Sequence, residues 1–282
     1  MRYKNVFNPI YTLVVMILIV SCAPKADTIT ILHSNDTHSQ IEPIAAGKRD
    51  SNHAGYARRL GLIKEERQKN PDLILVDAGD FTQGTPYFNF YHGRVEVEAL
   101  NRMGYDAITL GNHEFDNGID TLAQVLKDAQ FAVVSSNYDA QGTSLEGIIQ
   151  PYTIIARAGV RVGILGVGVN PNGLISARNF APIRYLDPIL AAQNVAKQLK
   201  KKHHCDIIVC LSHLGTDSQN PEQISDAVLA KSTRYIDVII GAHTHKIVKN
   251  RYVQNIDGEN VLLAQMGKSG ARIGKITLKI GK

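Results

Sequence analysis

Apolar, β-branched runs of strand length recur along the whole chain, with helix-periodic segments between several of them. The first, TITILHSND, begins at Thr28 and ends in Asp36. Later runs are Leu73–Asp77, Ala107–Leu110, Phe131–Ser135, Arg161–Val167, Ile207–Leu211, Val238–Ile240, Val261–Gln265 and Lys275–Ile280. Helices are predicted over Tyr56–Gln68, closed by Asn70-Pro71, and over Val95–Met103, closed by Gly104. Others are predicted over Ile119–Ala129, after Asn117-Gly118, and over Pro188–Lys202 and Pro221–Lys231. Near-continuous apolar strands alternating with helices specify an α/β fold whose sheet is buried on both faces. Ala156–Arg161 carries Ala-Gly between two strand-like runs, which predicts one hairpin inside the alternation.

The chain has 282 residues, 44% hydrophobic and 20% charged, which excludes disordered, collagenous and coiled-coil classes. That length suits one large α/β domain or two small ones, and no repeat or linker marks a second. Residues 1–22 place Arg2 and Lys4 before an apolar stretch that small residues close, as in an export signal. The run from Ile10 to Val20, broken only by Thr12, falls short of the roughly 20 residues a spanning helix needs. Ile19-Val20-Ser21-Cys22 resembles the cleavage box of bacterial lipoproteins, which implies cutting before Cys22 and lipidation of Cys22. On this reading, residues 1–21 are a signal peptide, 22–27 a tether and 28–282 a domain facing the periplasm or cell surface from its membrane anchor.

The whole sequence has Lys+Arg 31 against Asp+Glu 26; without Arg2 and Lys4 there are 29 bases against 26 acids, a net of +3. That is too mild to argue for nucleic-acid binding. Cys205 and Cys210 would lie roughly 16 Å apart along an extended strand, on opposite faces, far beyond a disulfide's reach of about 7 Å between Cα atoms. They read as two buried free thiols.

The chemistry lies where the strands end. The first ends Asn35-Asp36-Thr37-His38, the second Asp77-Ala78-Gly79-Asp80, and the third Gly111-Asn112-His113-Glu114-Phe115-Asp116. Ser212-His213 follows Ile207–Leu211, and Gly241-Ala242-His243-Thr244-His245 follows Val238–Ile240. The C-terminal edge of an α/β sheet is where ligands bind. Pairs two residues apart, Asp36/His38 and His243/His245, project to one side of an extended chain and can converge. Carboxylate, amide and imidazole donors without a nearby Cys suit divalent metals of intermediate hardness, and the set exceeds what one catalytic ion takes. Two ions with a bridging carboxylate would use it fully.

Other candidates read as structure. His33 lies inside the first strand and suits a core or supporting role. His203 and His204 follow Lys200-Lys201-Lys202 at a basic helix end. Gly163, Gly166 and Gly168 form no dinucleotide fingerprint, because Asn170-Pro171 follows where a helix would have to begin. Asn137 fits either a cleft or a turn, and Arg58 and Arg59 sit on a predicted helix as solvated residues.

The motifs NDTH, GD, GNHEFD, SHLG and GAHTH, in this order, resemble the metallophosphoesterase domain of bacterial 5′-nucleotidases, relatives of calcineurin-type phosphatases. The resemblance runs from about Thr28 to the C-terminus. It implies a four-layer α/β-β/α sandwich of the calcineurin-like type holding two divalent metal ions, Mn²⁺, Zn²⁺ or Co²⁺. It implies that Asp36, His38, Asp80 and His245 hold one ion, and Asp80, Asn112, His213 and His243 the other. His113 would contact the phosphate and Asp116 orient it, with Glu114 as the competing partner of His113. The implied reaction is hydrolysis of a nucleoside monophosphate, or another phosphate ester, by a hydroxide formed between the metals. A 2′,3′-cyclic phosphodiesterase, a sugar-nucleotide pyrophosphatase and a nuclease share the motif set, and a weakly active accessory or binding lipoprotein is the reading from another class.

Members of that family carry a second, C-terminal domain that stacks the base. This chain stops at Lys282, where the catalytic domain would end, so the expectation is that the base-reading domain is absent or supplied by a separate polypeptide. Base stacking contributes about 1–3 kcal/mol where aromatic platforms exist. Assayed alone, the chain should show similar kcat/KM for AMP, GMP, UMP and a simple phosphomonoester. Strong base selectivity would instead mean that loops such as Gln40–His53 or Thr82–His92 read the base.

Overall fold

The computed structural model describes residues 26–218 and 223–280. Its first half runs β1 (Thr28–Ser34), α1 (Tyr56–Lys69), β2 (Ile74–Asp77), α2 (Pro86–Tyr91), α3 (Arg94–Met103) and β3 (Ala107–Ile108). Then come α4 (Ile119–Leu126), β4 (Ala132–Val134), β5 (Tyr138–Asp139), β6 (Ile149–Gln150), β7 (Tyr152–Arg157) and β8 (Val160–Val167). The second half runs α5 (Ala177–Phe180), β9 (Arg184–Tyr185), α6 (Pro188–Lys201), β10 (Ile207–Ser212) and α7 (Asp226–Ser232). It closes with β11 (Val238–Gly241), β12 (Ile247–Gln254), β13 (Asn260–Met266) and β14 (Gly274–Lys279).

The strands form two six-stranded sheets, ordered β14-β1-β2-β3-β4-β6 and β12-β13-β11-β10-β8-β7, and β5 pairs with β9 beside them. Alternation along each strand sorts side chains to opposite faces. Ile29, Ile31, Ile74 and Val76 of the first sheet meet Val162, Ile164, Val209 and Leu211 of the second in one apolar layer. On the outside of the first sheet, Leu32 and Leu75 pack with Ile63, Val97, Leu100 and Leu122 from α1, α3 and α4. On the outside of the second, Leu165, Ile208 and Ile239 pack with Ala192, Ala196 and Leu229 from α6 and α7. The result is the expected four-layer α/β-β/α sandwich. Parallel pairing aligns Ser34 with Asp77 and Asp77 with Ile108 in one sheet, and Ser212 with Val167 and Gly241 in the other. Each sheet therefore gathers the C-terminal ends of its parallel strands at one edge.

Local signals explain the boundaries. Asp187 caps α6 by accepting from the Leu190 amide at 2.9 Å, with Pro188 in the first turn. Gly104 ends α3 in the left-handed region. The hairpin joining β7 and β8 turns through Ala158 and Gly159, both at positive φ, as a tight primed turn requires. β3 and β4 are shorter than their apolar runs, since Leu110 and Phe131 are buried in loops. The last predicted helix begins at Asp226, behind Ser225 as its cap, and Pro221 lies outside the described residues. The export signal and Cys22 also lie outside them. Among the described residues no helix is long and apolar enough to cross a membrane.

Two expectations are corrected, and one long strand was missed. Arg59 is not solvated but 1% exposed, its guanidinium over the Tyr56 ring at 4.9 Å and against the turn at Gly270, where a Cβ would collide with it. Cys205 and Cys210 are free and buried as expected, yet both pack in the layer beneath α6. Cys205 precedes β10, so strand alternation does not govern it. Finally, β12 was not legible as a strand, because most of its length lies exposed at a sheet edge and Lys249, Asn250 and Arg251 interrupt its apolar residues.

The two sheets approach closely at Gly166. A Cβ there would collide with the Val134 carbonyl oxygen and the Thr109 hydroxyl of the opposite sheet, both held in place by a hydrogen bond of 2.8 Å to each other. Neither neighbour is a flexible chain end, so Gly166→Ala should destabilise the fold by about 2–3 kcal/mol, read from urea denaturation.

Candidate metal centre

Every polar strand end singled out in the sequence reaches the same place. Asp36 and His38 follow β1, Asp80 follows β2, Asn112 and His113 follow β3, His213 follows β10, and His243 and His245 follow β11. The connecting backbone is unusual. Asp36, His38, Asp80, His243 and His245 all have positive φ, between 45° and 69°. Such residues carry strain that the surrounding packing must hold, and clusters of them mark functional sites. The donors therefore do not converge as pairs on an extended strand. Beyond the strand ends each residue is turned individually, and His243 and His245 part into different groups.

One group comprises Asp36, His38 and His245, the other Asp80, His213 and His243, and within each the donor atoms all lie within 4.8 Å of one another. The groups adjoin, with Asp36 Oδ1 4.0 Å from His213 Nε2 and 3.6 Å from His245 Nε2. His38 Nε2 faces His245 Nε2 at 3.0 Å. Asn112 is buried, and its Oδ1 meets no hydrogen-bond donor. Its neighbour His113 donates its backbone N–H to Asp80 Oδ1 at 3.0 Å. His113 Nδ1 lies 2.9 Å from Asp116 Oδ2, both partly exposed at the mouth of the site. Asp116, not Glu114, is thus the partner of His113.

Burial sets the protonation of these groups. It pushes the Asp36 carboxyl up to about 7, with Asp80 adding to the effect. It lowers His38 and His243 to about 4, and His245 in the same direction, with the Lys268 charge contributing at His245. Those imidazoles are neutral at pH 7 and offer lone pairs. Burial also opposes charge on His213, but Asp80, 3.1 Å away, and Asp36 outweigh it and raise His213 to about 10. Burial likewise disfavours the Asp80 anion, yet His213 holds its pKa below the usual range. Two carboxylates this deeply buried demand positive charge beside them.

Supporting contacts fix the donors. His213 Nδ1 donates to the Ala78 carbonyl at 2.8 Å, which leaves Nε2 facing Asp80. Asn35 donates to Asp36 Oδ2 at 2.6 Å and to the Gly267 carbonyl at 2.7 Å, and its Oδ1 accepts from the Met266 amide. The His243 amide donates to Asp36 Oδ1 at 2.9 Å. Gly111 must be glycine, because a Cβ would collide with Asp80 Oδ1 and the His213 ring.

Sequence reasoning missed the role of Glu114. Its buried carboxylate accepts from the amides of Asp80 at 3.0 Å, Thr82 at 3.1 Å and Gly111 at 2.6 Å, and from the Thr82 hydroxyl at 2.9 Å. It ties the loop after β2 to the loop after β3. An acidic residue beside His113 was the available signal, but its inward direction depends on the turn at Asn112. The other residues weighed from sequence stay structural. His33 is buried within β1, and burial lowers it to about 4. His203 bonds Tyr152 Oη at 2.9 Å. Asn137 clamps the Gly168 backbone, donating to its carbonyl and accepting from its amide.

The family model for calcineurin-like phosphoesterases matches residues 29–247. A snake venom 5′-nucleotidase from Crotalus adamanteus is 33% identical over 285 residues, covering 92% of this chain and 46% of the relative. Among solved structures, a 5′-nucleotidase precursor from Thermus thermophilus superposes with TM-score 0.81 at 35% identity, covering 90% of this chain and 52% of that one. The NAD nucleotidase of Haemophilus influenzae superposes with TM-score 0.77 at 26% identity, covering 89% and 52%. The chain thus spans about half the length of these relatives.

Removing the Glu114 carboxylate leaves three buried backbone N–H groups without their acceptor. Glu114→Ala should cost about 2–4 kcal/mol of stability, measured by denaturant unfolding.

Proposed function

The chain belongs to the calcineurin-like phosphoesterase family, and from that premise we propose that it is a metal-dependent phosphate-ester hydrolase of the 5′-nucleotidase type. It would convert a nucleoside monophosphate to nucleoside and phosphate. The observation that carries this reading is the pair of adjoining donor groups, Asp36/His38/His245 and Asp80/His213/His243, at one sheet edge. The similarity to 5′-nucleotidases over most of the chain supports the substrate class.

The residues fit two divalent cations. The donors are imidazole and carboxylate with no thiolate, His38, His243 and His245 are neutral, and Asn112 Oδ1 is a buried acceptor without a partner. In this reading Asp36, His38, Asp80 and His245 hold one ion. Asp80, Asn112, His213 and His243 would hold the other, with His213 giving up the Nε2 proton that Asp80 and Asp36 favour in the metal-free site, and Mn²⁺, Zn²⁺ and Co²⁺ suit the set. When bound, the cations supply Lewis acidity toward the phosphoryl oxygens and toward water. His113 works from the mouth of the site. Its Nδ1 proton is held by Asp116, and that hydrogen bond leads the effects that raise its pKa. Its Nε2 N–H is then free to donate to a phosphoryl oxygen and, as water adds to phosphorus and the ester P–O bond breaks, to the departing oxygen. Export and lipid anchoring through Cys22 complete the proposal and rest on the sequence of residues 1–22.

Metal analysis and kinetics on one set of variants test it. Asp80→Asn should weaken both ions together, whereas Asp36→Asn should chiefly empty one site. His113→Ala should keep its metal while kcat on a phosphomonoester falls roughly 10²–10⁴-fold. Two tightly bound ions in Asp80→Asn would overturn the bridging assignment. Loss of metal in His113→Ala would make His113 a ligand.

A further inference from the structure

A pocket of about 650 Å³ opens beside His245, lined by Arg49, Asp50, Lys246, Lys268 and Arg272 among others. Its charges do not cancel locally. Asp50 is matched by Arg272, whose Nη2 and Nη1 donate to its two carboxylate oxygens at 2.7 and 3.2 Å. Lys246 lies 4.0 Å from Asp217. Arg49 and Lys268 have no carboxylate within ion-pair distance among the described residues; Arg49 shares the field of Asp50 with Arg272, so four basic side chains line the pocket against one carboxylate.

The Lys268 side chain is exposed, but the backbone that carries it is fixed. The residues on either side of it are bonded to the metal-site loop. The Gly267 carbonyl accepts from Asn35 Nδ2 at 2.7 Å, and the Ser269 amide donates to the Asp36 carbonyl at 2.7 Å. The Gly267 amide also donates to the Lys246 carbonyl at 2.9 Å. The loop that carries Lys268 is therefore bonded to Asp36 itself and to Asn35, which fixes the Asp36 carboxylate. The adjoining His245 belongs to both the pocket and the first donor group.

We propose that this pocket is an anion subsite that takes a second phosphate carried by the leaving group, so that bisphosphorylated esters are the favoured substrates. The inference rests on the phosphoesterase reading, because it assumes that the first phosphoryl group sits at the two donor groups. A neutral leaving group gains little from this excess of positive charge, whereas a phosphate gains from both Arg49 and Lys268. In such a substrate, water adds to the phosphorus at the donor groups and the P–O bond to the leaving oxygen breaks. The leaving group takes up a proton where its oxygen requires one and departs with its own phosphate intact.

The test compares AMP with adenosine 3′,5′-bisphosphate, using metal-loaded wild type, Arg49→Ala, Lys268→Ala and the double variant. Each charge at about 4 Å in a solvated site is worth roughly fivefold. The kcat/KM preference of wild type for the bisphosphate over AMP should therefore fall about 25-fold in the double variant, and should shrink with added salt. A preference unchanged by both substitutions, or no preference in wild type, would overturn the subsite. Calorimetric titration of pyrophosphate into metal-free protein separates the two readings. If wild type hydrolyses no phosphate ester, the phosphoesterase reading fails. The pocket then stands only if pyrophosphate binds wild type at least tenfold more tightly than the double variant, and equal or absent binding overturns it.

Discussion

Two carboxylates, Asp36 and Asp80, lie almost wholly out of water at the edge where the two sheets meet. Charge in that position costs several kcal/mol unless positive partners and hydrogen bonds surround it. Much of the structure around them can be understood as that compensation. His213 approaches Asp80 from the second sheet, and the His243 amide approaches Asp36 from the same side. The carboxylates belong to the first sheet, so these contacts also join the two halves of the sandwich at the site. A centre with two buried carboxylates and three neutral imidazoles is matched to divalent cations.

The backbone at the site is strained, since five candidate donors hold positive φ where glycine or asparagine would be more comfortable, and hydrogen bonds fix the donor loops. Asn35 pins Asp36, Glu114 pins the Asp80 loop, and the Ala78 carbonyl pins His213. Glu114 is costly in its own right, since burial and the nearby Asp80 charge raise its carboxyl to about 7. Three backbone amides and a hydroxyl offset that cost by pointing at it. Preorganisation of this kind keeps donor atoms in place before any ligand arrives.

The pocket beside His245 extends this logic outward. Within the site, charges are buried and paired, whereas Arg49 and Lys268 face solvent without carboxylate partners. Lys268 also lowers the basicity of His245, so the loop that would receive an anion helps keep a donor neutral.

The sequence by itself determined the alternation of strands and helices, because burial on both faces leaves continuous apolar runs that periodicity detects. It also determined which residues stand at strand ends, since polar groups such as Asp36, Asp80 and His213 interrupt those runs abruptly. The motif order was enough to imply the four-layer sandwich. Residue spacing by itself suggested that His243 and His245 act side by side, whereas the motif resemblance already implied that they part; only the tertiary structure shows how, through left-handed turns after β11 that send them to different groups. The resemblance favoured Asp116 over Glu114 as the partner of His113, and the fold supplies the reason: a short helical turn over His113–Phe115 points Glu114 inward and leaves Asp116 beside His113. Arg59 was illegible for the same reason, since burial of an arginine on a helix depends on a segment distant in sequence, here the turn at Gly270. Local pattern records which face of an element is apolar, whereas the direction of a polar side chain beyond a strand end is set by whatever the rest of the fold brings against it.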